Sequence, residues 1–234
     1  MRYEEPTYDS RPAARAFLRS LLAITLAMTT ATSQALDLQG HRGARGLAPE
    51  NTLPAFAVAL GIGVATLELD CAVTKDGVVV VSHDSTLNPE ITRGPDGLWL
   101  TGEGPPIRQF TYAELQQFDV GRIDPKSEYA KRFPRQQPLD GTRMPRLADV
   151  FALARKSGND TVRFNIESKI SPLHSKRTVS PGEFARAFIH LVQKEKMESR
   201  VTLQSFDWRT LKIAQQEAPA IATVYLTAQQ SFMD

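Results

Sequence analysis

The sequence has one cysteine, no block of basic residues and no apolar run of the roughly 20 residues that a membrane span requires. Cys71 therefore cannot form a disulfide within the chain, and its apolar neighbours predict a buried thiol rather than a nucleophile. Lys and Arg together number 28 and Asp and Glu 26, spread along the chain, so we expect no nucleic-acid or other polyanionic partner. The 41% hydrophobic content suffices for one globular core.

The first 35 residues differ in character from the rest. Arg15 and Arg19 precede the short apolar run 20–28, and small polar residues follow as far as Ala35. Ser33-Gln34-Ala35 has the small-x-small pattern of a signal-peptidase site. We predict that residues 1–35 are a signal peptide and that the mature chain is periplasmic or secreted, without stable membrane association after cleavage. An uncleaved N-terminal anchor helix is the alternative.

Apolar periodicity alternates between strand and helix along the rest of the chain. This alternation predicts a mostly parallel α/β sheet. Its predicted strands are 36–40, 64–70, 78–83, 161–167, 200–205 and 222–226, and its main helices are 52–60, 147–155, 181–196 and 208–216. Asn51 or Thr52 is the expected cap of the first helix. Residues 84–145 are rich in Pro and Gly and show no such periodicity, which indicates a functional insertion or lid.

Two carboxylates, Glu68 and Asp70, lie two positions apart in the second predicted strand and therefore point to the same face. Inside a barrel they would repel each other and lose hydration, so they would need a proton or a cation. Glu167, from a later strand, completes a set of oxygen ligands that suits Ca²⁺ or Mg²⁺. The alternative is a pair of solvent-facing acids at the end of a strand.

Two histidines, His41 and His83, each stand at the C-terminal end of a predicted strand, at the edge where the chemistry of (β/α)₈ barrels collects. Histidine titrates near neutrality, so one imidazole can accept a proton from a nucleophile while the other protonates the leaving oxygen. His174 and His190 lie in a loop and a helix, and we expect neither to be catalytic.

Two basic residues accompany these groups. Arg42, next to His41, would help to hold a phosphoryl group, and the alternative is a surface cation. Lys169, two residues after Glu167, either neutralises a phosphate oxygen or holds Glu167 in place.

These residues belong to a series of short motifs. In order they are His41-Arg42-Gly43, Glu50-Asn51-Thr52, Glu68-Leu69-Asp70, Thr74-Lys75-Asp76-Gly77, His83-Asp84, Asn165-Ile166-Glu167-Ser168-Lys169 and Gln204-Ser205-Phe206. Over residues 36–226 the series resembles that of glycerophosphodiester phosphodiesterases, in particular the exported bacterial type.

The resemblance implies a TIM (β/α)₈ barrel with residues 84–145 inserted after the third strand. It implies hydrolysis of small glycerophosphodiesters to sn-glycerol 3-phosphate and an alcohol. It also implies a divalent cation, with Ca²⁺ favoured and Mg²⁺ the alternative. The implied roles are cation ligand for Glu68, Asp70 and Glu167, acid or base for His41 and His83, and phosphate contact for Arg42 and Lys169.

Two expectations follow from how this chain departs from the pattern. Six predicted strands fall short of eight, so we expect an incomplete barrel in residues 36–234 that lacks about the last two strands. Ser168 replaces a more usual aliphatic residue and is expected to face away from the cation. The competing functions are a lysophospholipase D-like lipid phosphodiesterase and an inactive truncated chain, and the largely polar segment 84–145 favours water-soluble substrates over lipids.

Overall fold

The structure, a computed structural model, describes residues 36–228, so the predicted signal peptide (1–35) and residues 229–234 lie outside the described part. This part contains six strands: β1 (Gln39–His41), β2 (Thr66–Val73), β3 (Val79–Val81), β4 (Arg163–Ser168), β5 (Val201–Ser205) and β6 (Ala222–Tyr225). Five of them pair in parallel in the order β1-β2-β4-β5-β6. The predicted parallel α/β sheet is confirmed, and within residues 36–228 its edges are β1 and β6.

The third strand departs from the parallel arrangement. β3 pairs antiparallel with the end of β2, Cys71–Val73, across the turn that contains Gly77, whose φ is +80°. A tight turn can join only antiparallel strands, because parallel strands need a crossover connection. The chain thus reverses and runs back along β2. As a result, the Ser82 N–H donates a 2.9 Å hydrogen bond to the Asp70 carbonyl. This hairpin carries His83 back beside the Asp70 position of β2.

Six α-helices are described: α1 (Leu53–Ile62), α2 (Tyr112–Leu115), α3 (Glu128–Arg132), α4 (Leu147–Lys156), α5 (Pro181–Lys194) and α6 (Trp208–Glu217), with short 3₁₀ turns at Ile107–Gln109 and Pro172–His174. Thr52, rather than Asn51, caps α1, since its side chain accepts a hydrogen bond from the Ala55 N–H. Gly63 ends α1 in the left-handed conformation, with φ 86°. None of the helices in residues 36–228 is long and apolar enough to cross a bilayer.

The main core lies between the sheet and the helices packed on its outer face. Leu67 and Leu69 of β2 are fully buried there, and Phe164 of β4 meets the ring of Phe151 edge-on at 4.9 Å. Because strand side chains alternate, burying these residues on one face turns the acidic residues between them to the opposite face. Cys71 belongs to the same core, and burial raises the pKa of its thiol, in agreement with an unreactive role.

Residues 84–145 are mostly irregular, as predicted, but they form a small core of their own against the β2–β3 hairpin. Its fully or nearly fully buried members are Ala72, Val80, Leu87, Ile107, Leu115 and Met144. Large apolar side chains of this segment are mostly turned inward; Leu98 and Leu139 are its exposed large apolar residues.

Candidate active site

The carboxylates of Glu68, Asp70 and Glu167 meet on the inner face of the sheet. The parallel register of β2 and β4 places Asp70 directly beside Glu167. One oxygen from each of the three residues lies within 4.8 Å of the others, and the residues are only 8, 1 and 8% exposed. The structure therefore brings together the three ligands predicted from the sequence.

Burial and mutual repulsion make the ionised form of these carboxylates unfavourable. Burial, reinforced by the charge of Asp70, raises the pKa of Glu68 to about 7. Burial also raises the pKa of Glu167, against the opposing charges of Lys169 and His83. With Glu50 the group contains four carboxylates, and among residues 36–228 only Arg42 and Lys169 pair with them as permanent cations. A closely spaced set of hard oxygen donors with surplus negative charge fits a divalent cation such as Ca²⁺ or Mg²⁺.

The loop after β1 is shaped by two left-handed residues, Arg42 at φ 54° and Gly43 at φ 78°. It packs so closely on α1 that a Cβ at position 43 would lie 2.7 Å from the carbonyl carbon of Ala55. In this conformation the Arg42 backbone N–H donates a 2.9 Å hydrogen bond to Glu68 Oε2. The glycine thus allows the loop to press its arginine against the carboxylates.

The Arg42 side chain lies between two acids. Its Nη1 donates to Glu50 Oε1 at 2.8 Å, and its Nε is 3.4 Å from Asp70 Oδ2. Although burial opposes the charged form, Glu50 and Asp70 raise the pKa of the guanidinium. Glu50 also accepts a hydrogen bond from the Tyr129 hydroxyl.

Two side-chain amides complete the contacts of the β2 acids. Asn51, at φ 56°, donates from Nδ2 to Asp70 Oδ2 at 3.0 Å. Gln204 of β5 donates from Nε2 to Glu68 Oε1 at 3.3 Å. Both residues, like Glu50, stand in the motifs noted above, but no site role was predicted for them. Their polarity within otherwise buried segments was the available signal; for Tyr129 the sequence offered none.

Lys169 follows the last residue of β4 and folds back over the cluster. Its Nζ lies 2.8 Å from Glu167 Oε1 and 3.6 Å from Asp70 Oδ1. Lys169 thus pairs with Glu167, as one of the two roles considered from the sequence requires.

The two histidines differ in their surroundings. His41, the last residue of β1, places Nε2 3.8 Å from Glu68 Oε2 and leaves 54% of its side chain exposed. Its pKa is lowered, first by partial burial and then by Arg45 and Arg42. His83 Nδ1 lies 3.0 Å from Asp84 Oδ1, and that carboxylate also accepts a 2.8 Å hydrogen bond from Asn88.

The remaining histidines of the chain lie elsewhere. His174 is exposed on the 3₁₀ turn and His190 is exposed on α5, and neither belongs to the carboxylate group.

Comparison with known proteins identifies the family to which this arrangement belongs. The model of the glycerophosphoryl diester phosphodiesterase family matches residues 41–233, which include every site residue described above. The chain belongs to this family. Its structural neighbours are TIM barrels, in agreement with the predicted fold class, and the parallel sheet described above is part of that architecture.

Individual family members show the same relationship. A glycerophosphodiester phosphodiesterase from Caldanaerobacter subterraneus subsp. tengcongensis is 31% identical over 179 residues, which are 76% of this chain and 61% of the relative. A solved glycerophosphoryl diester phosphodiesterase structure from Silicibacter pomeroyi is 39% identical with a TM-score of 0.76, over 82% of this chain and 64% of that one.

A phosphodiesterase from Oleispira antarctica, solved with the product sn-glycerol-3-phosphate, is 25% identical with a TM-score of 0.61. The match covers 84% of this chain and 68% of that structure. The chain thus spans somewhat less than two thirds of the length of the Caldanaerobacter and Silicibacter proteins. It spans slightly more than two thirds of the Oleispira protein.

Proposed function

We propose that this chain catalyses the metal-dependent hydrolysis of glycerophosphodiesters to sn-glycerol 3-phosphate and an alcohol. The observation that carries the proposal is the buried group of Glu68, Asp70 and Glu167, flanked by two histidines and two cationic side chains. Membership of the family and the sn-glycerol-3-phosphate found in the Oleispira antarctica structure support the same substrate class.

Glu68, Asp70 and Glu167 would hold the divalent cation. When bound, it supplies Lewis-acid polarisation and charge neutralisation at a phosphoryl oxygen. The amides of Asn51 and Gln204 keep the carboxylates of Asp70 and Glu68 oriented, as outer contacts of metal ligands do. Among the ions that suit this donor set we favour Ca²⁺, with Mg²⁺ as the alternative.

The histidines would divide the proton transfers. Asp84 accepts a hydrogen bond from His83 Nδ1, which fixes the orientation of that ring. Partial burial lowers the pKa of His41, which favours its neutral, proton-accepting form. We therefore assign to His41 the removal of a proton from the attacking hydroxyl or water and to His83 the protonation of the leaving oxygen. Arg42 and Lys169 would bind the phosphoryl oxygens, which carry negative charge throughout the reaction.

The segment 84–145 favours small polar alcohols over lipids. A lid that meets an acyl chain would present a contiguous apolar surface. Here the segment buries its apolar side chains in its own core, and its two exposed large apolar residues are Leu98 and Leu139. Glycerophosphocholine is accordingly the expected substrate type, and lysophosphatidylcholine is the substrate that would reveal a lysophospholipase D.

We also propose that residues 1–35 direct export and are then removed, so that the enzyme acts in the periplasm or outside the cell. The support is the order of features in this segment, in which basic residues precede a short apolar run and small residues follow it. Expression of the full chain in a bacterium, followed by fractionation and N-terminal sequencing, tests the proposal. A mature chain that begins at Leu36 outside the cytoplasm is expected, and an intact chain retained in the cytoplasm would contradict export.

The activity itself is tested with purified chain 36–234 by release of glycerol 3-phosphate from glycerophosphocholine and from lysophosphatidylcholine, with Ca²⁺, with Mg²⁺ and with chelator. We expect cation-dependent release from glycerophosphocholine that is lost in His41→Ala and retained in His174→Ala, the matched control on an exposed turn. Release that persists in chelator, or that His41→Ala leaves intact, would contradict the proposed mechanism. A folded, cation-binding chain without activity would contradict the proposed function.

A further inference from the structure

Tyr129 reaches the candidate site from the segment 84–145. It lies on α3, 79 residues along the chain from Glu50 and 87 from Arg42. Its hydroxyl donates a hydrogen bond to Glu50 Oε2 and accepts one from Arg42 Nη1 at 3.4 Å. A residue of the irregular segment is thus in contact with the arginine assigned to phosphate.

The carboxylate of Glu50 depends on this hydroxyl. Its Oε1 accepts from Arg42 Nη1 at 2.8 Å, and its Oε2 accepts from Tyr129. The Glu50 side chain is only 4% exposed, so water cannot readily replace a lost donor. Removing the hydroxyl would leave a buried charged oxygen unsatisfied and the carboxylate free to turn.

Within residues 36–228, the guanidinium of Arg42 makes hydrogen bonds through Nη1 alone. Nη1 donates to Glu50 Oε1 and to the Tyr129 hydroxyl, whereas Nε is buried without a hydrogen bond and makes an ion-pair contact with Asp70 Oδ2 at 3.4 Å. Nη2 also makes no hydrogen bond but is not fully buried, which leaves it available to an external acceptor. Because the guanidinium is planar, the two hydrogen bonds of Nη1 and the ion pair with Asp70 together fix the direction in which Nη2 points.

The hydroxyl is suited to act as a permanent donor. Burial, followed by the charge of Glu50, raises the pKa of Tyr129 to about 12, so the phenol stays protonated near neutrality. The ring is held independently of the hydroxyl, edge-on to Phe133 at 5.1 Å and beneath the Arg132 guanidinium at 5.5 Å. A phenylalanine at this position would therefore keep the packing and lose only the hydrogen bonds.

We propose that Tyr129 is a positioning residue that holds Glu50, and through it Arg42, so that Nη2 faces the phosphoryl group of a bound glycerol phosphate. The proposal rests on the proposed function and deepens it, because it makes phosphate binding depend on a residue of the 84–145 segment. Tyr129 itself need not touch the substrate.

The test is calorimetric titration of sn-glycerol 3-phosphate into the Ca²⁺-loaded chain. Tyr129→Phe is expected to weaken binding roughly threefold to tenfold, the effect of one hydrogen bond to a charged group. Tyr112→Phe is the matched control, since this tyrosine lies in the same segment but packs against Arg146 away from the site. Ca²⁺ affinity should not differ between Tyr129→Phe and the wild type.

A double-mutant cycle separates positioning from a general structural effect. In an Arg42→Ala background, Tyr129→Phe should cause no further loss of glycerol 3-phosphate affinity, because the group that it positions is absent. In steady-state assays Tyr129→Phe should raise KM by the same factor as it raises Kd and leave kcat within about twofold, as loss of uniform binding does.

Each remaining outcome counts against one of the two proposals. Wild-type affinity in Tyr129→Phe, or an equal loss in the Arg42→Ala background, would overturn the positioning role. A wild-type chain that binds no glycerol 3-phosphate would overturn it as well. A wild-type chain that binds glycerol 3-phosphate but hydrolyses no diester would contradict the proposed function and still allow the Tyr129 cycle to be measured.

Discussion

The two halves of the site are built by different means. Glu68, Asp70 and Glu167 project from neighbouring parallel strands, and the backbone pairing of β2 with β4 sets their spacing. Arg42 and Glu50 project from the loop that joins β1 to α1, where left-handed backbone and side-chain hydrogen bonds determine their positions. The first group we term the strand half and the second, together with Tyr129, the loop half.

Backbone pairing fixes the side-chain positions in the strand half, whereas individual side-chain contacts fix them in the loop half. In the strand half many backbone hydrogen bonds fix each carboxylate, so the loss of one side-chain contact changes little. In the loop half a few contacts carry the whole arrangement, so single substitutions should have larger consequences. The three predictions below test this contrast.

Gly43→Ala should damage the loop half most. An alanine would need a left-handed backbone and would place its Cβ 2.7 Å from the backbone of Ala55. Left-handed strain and overpacking together should lower the free energy of unfolding by about 2–4 kcal/mol. Urea denaturation measures the change. Gly46→Ala, in the same loop with no atom within 4 Å of its Cβ, is the control and should stay within about 1 kcal/mol of wild type. Equal stability of the two variants would show that the close packing at position 43 is unimportant.

The strand half should respond to pH. Glu68 in the cation-free chain has a pKa of about 7, above its ordinary value of 4.5, so it is mostly protonated at pH 6 and mostly ionised at pH 8. A cation requires the ionised form, and its affinity should therefore rise roughly tenfold between these two pH values. The raised pKa of Glu167 acts in the same direction. Ca²⁺ titrations at pH 6, 7 and 8 provide the check, and an affinity that stays constant or falls as the pH rises would disprove the expectation.

Ser168→Ala should have the smallest effect, because it removes one contact from the strand half on the side away from the carboxylates. Ser168 Oγ donates a 2.7 Å hydrogen bond to Ser205 Oγ, and both residues are buried. The variant should lose about 1 kcal/mol of stability while kcat and Ca²⁺ affinity stay unchanged. Thermal denaturation, the glycerol 3-phosphate assay and a Ca²⁺ titration measure the three quantities. A large loss of Ca²⁺ affinity would mean that Ser168 contributes to the site.

The same contrast explains what could be predicted from the sequence. Alternation within a strand and parallel pairing between strands are periodic rules, so Glu68, Asp70 and Glu167 could be grouped before any coordinates were known. The direction of β3 could also have been found, because a tight turn such as Thr74-Lys75-Asp76-Gly77 can join only antiparallel strands, whereas a run of valines carries no direction.

The loop half could be predicted only in part. The neighbours Asn51 and Thr52 were both candidates for capping α1, and only tertiary structure shows that Asn51 turns to Asp70 instead. The contact of Tyr129 with Glu50 joins residues far apart in sequence through an irregular segment. No periodicity links such positions, because the path of an irregular segment depends on how its own small core packs.

The central claim is that the strand half binds one divalent cation, and it is tested most directly by titrating Ca²⁺ into the purified chain beside Asp70→Asn. Asparagine keeps the size of the side chain and removes its charge, while Asp160→Asn, at an exposed position, is the matched control. We predict that the wild type and Asp160→Asn each bind one Ca²⁺ per chain with the same affinity. In Asp70→Asn the Ca²⁺ affinity should fall by at least about a hundredfold. Unchanged binding in Asp70→Asn, or no binding by the wild type, would contradict the account.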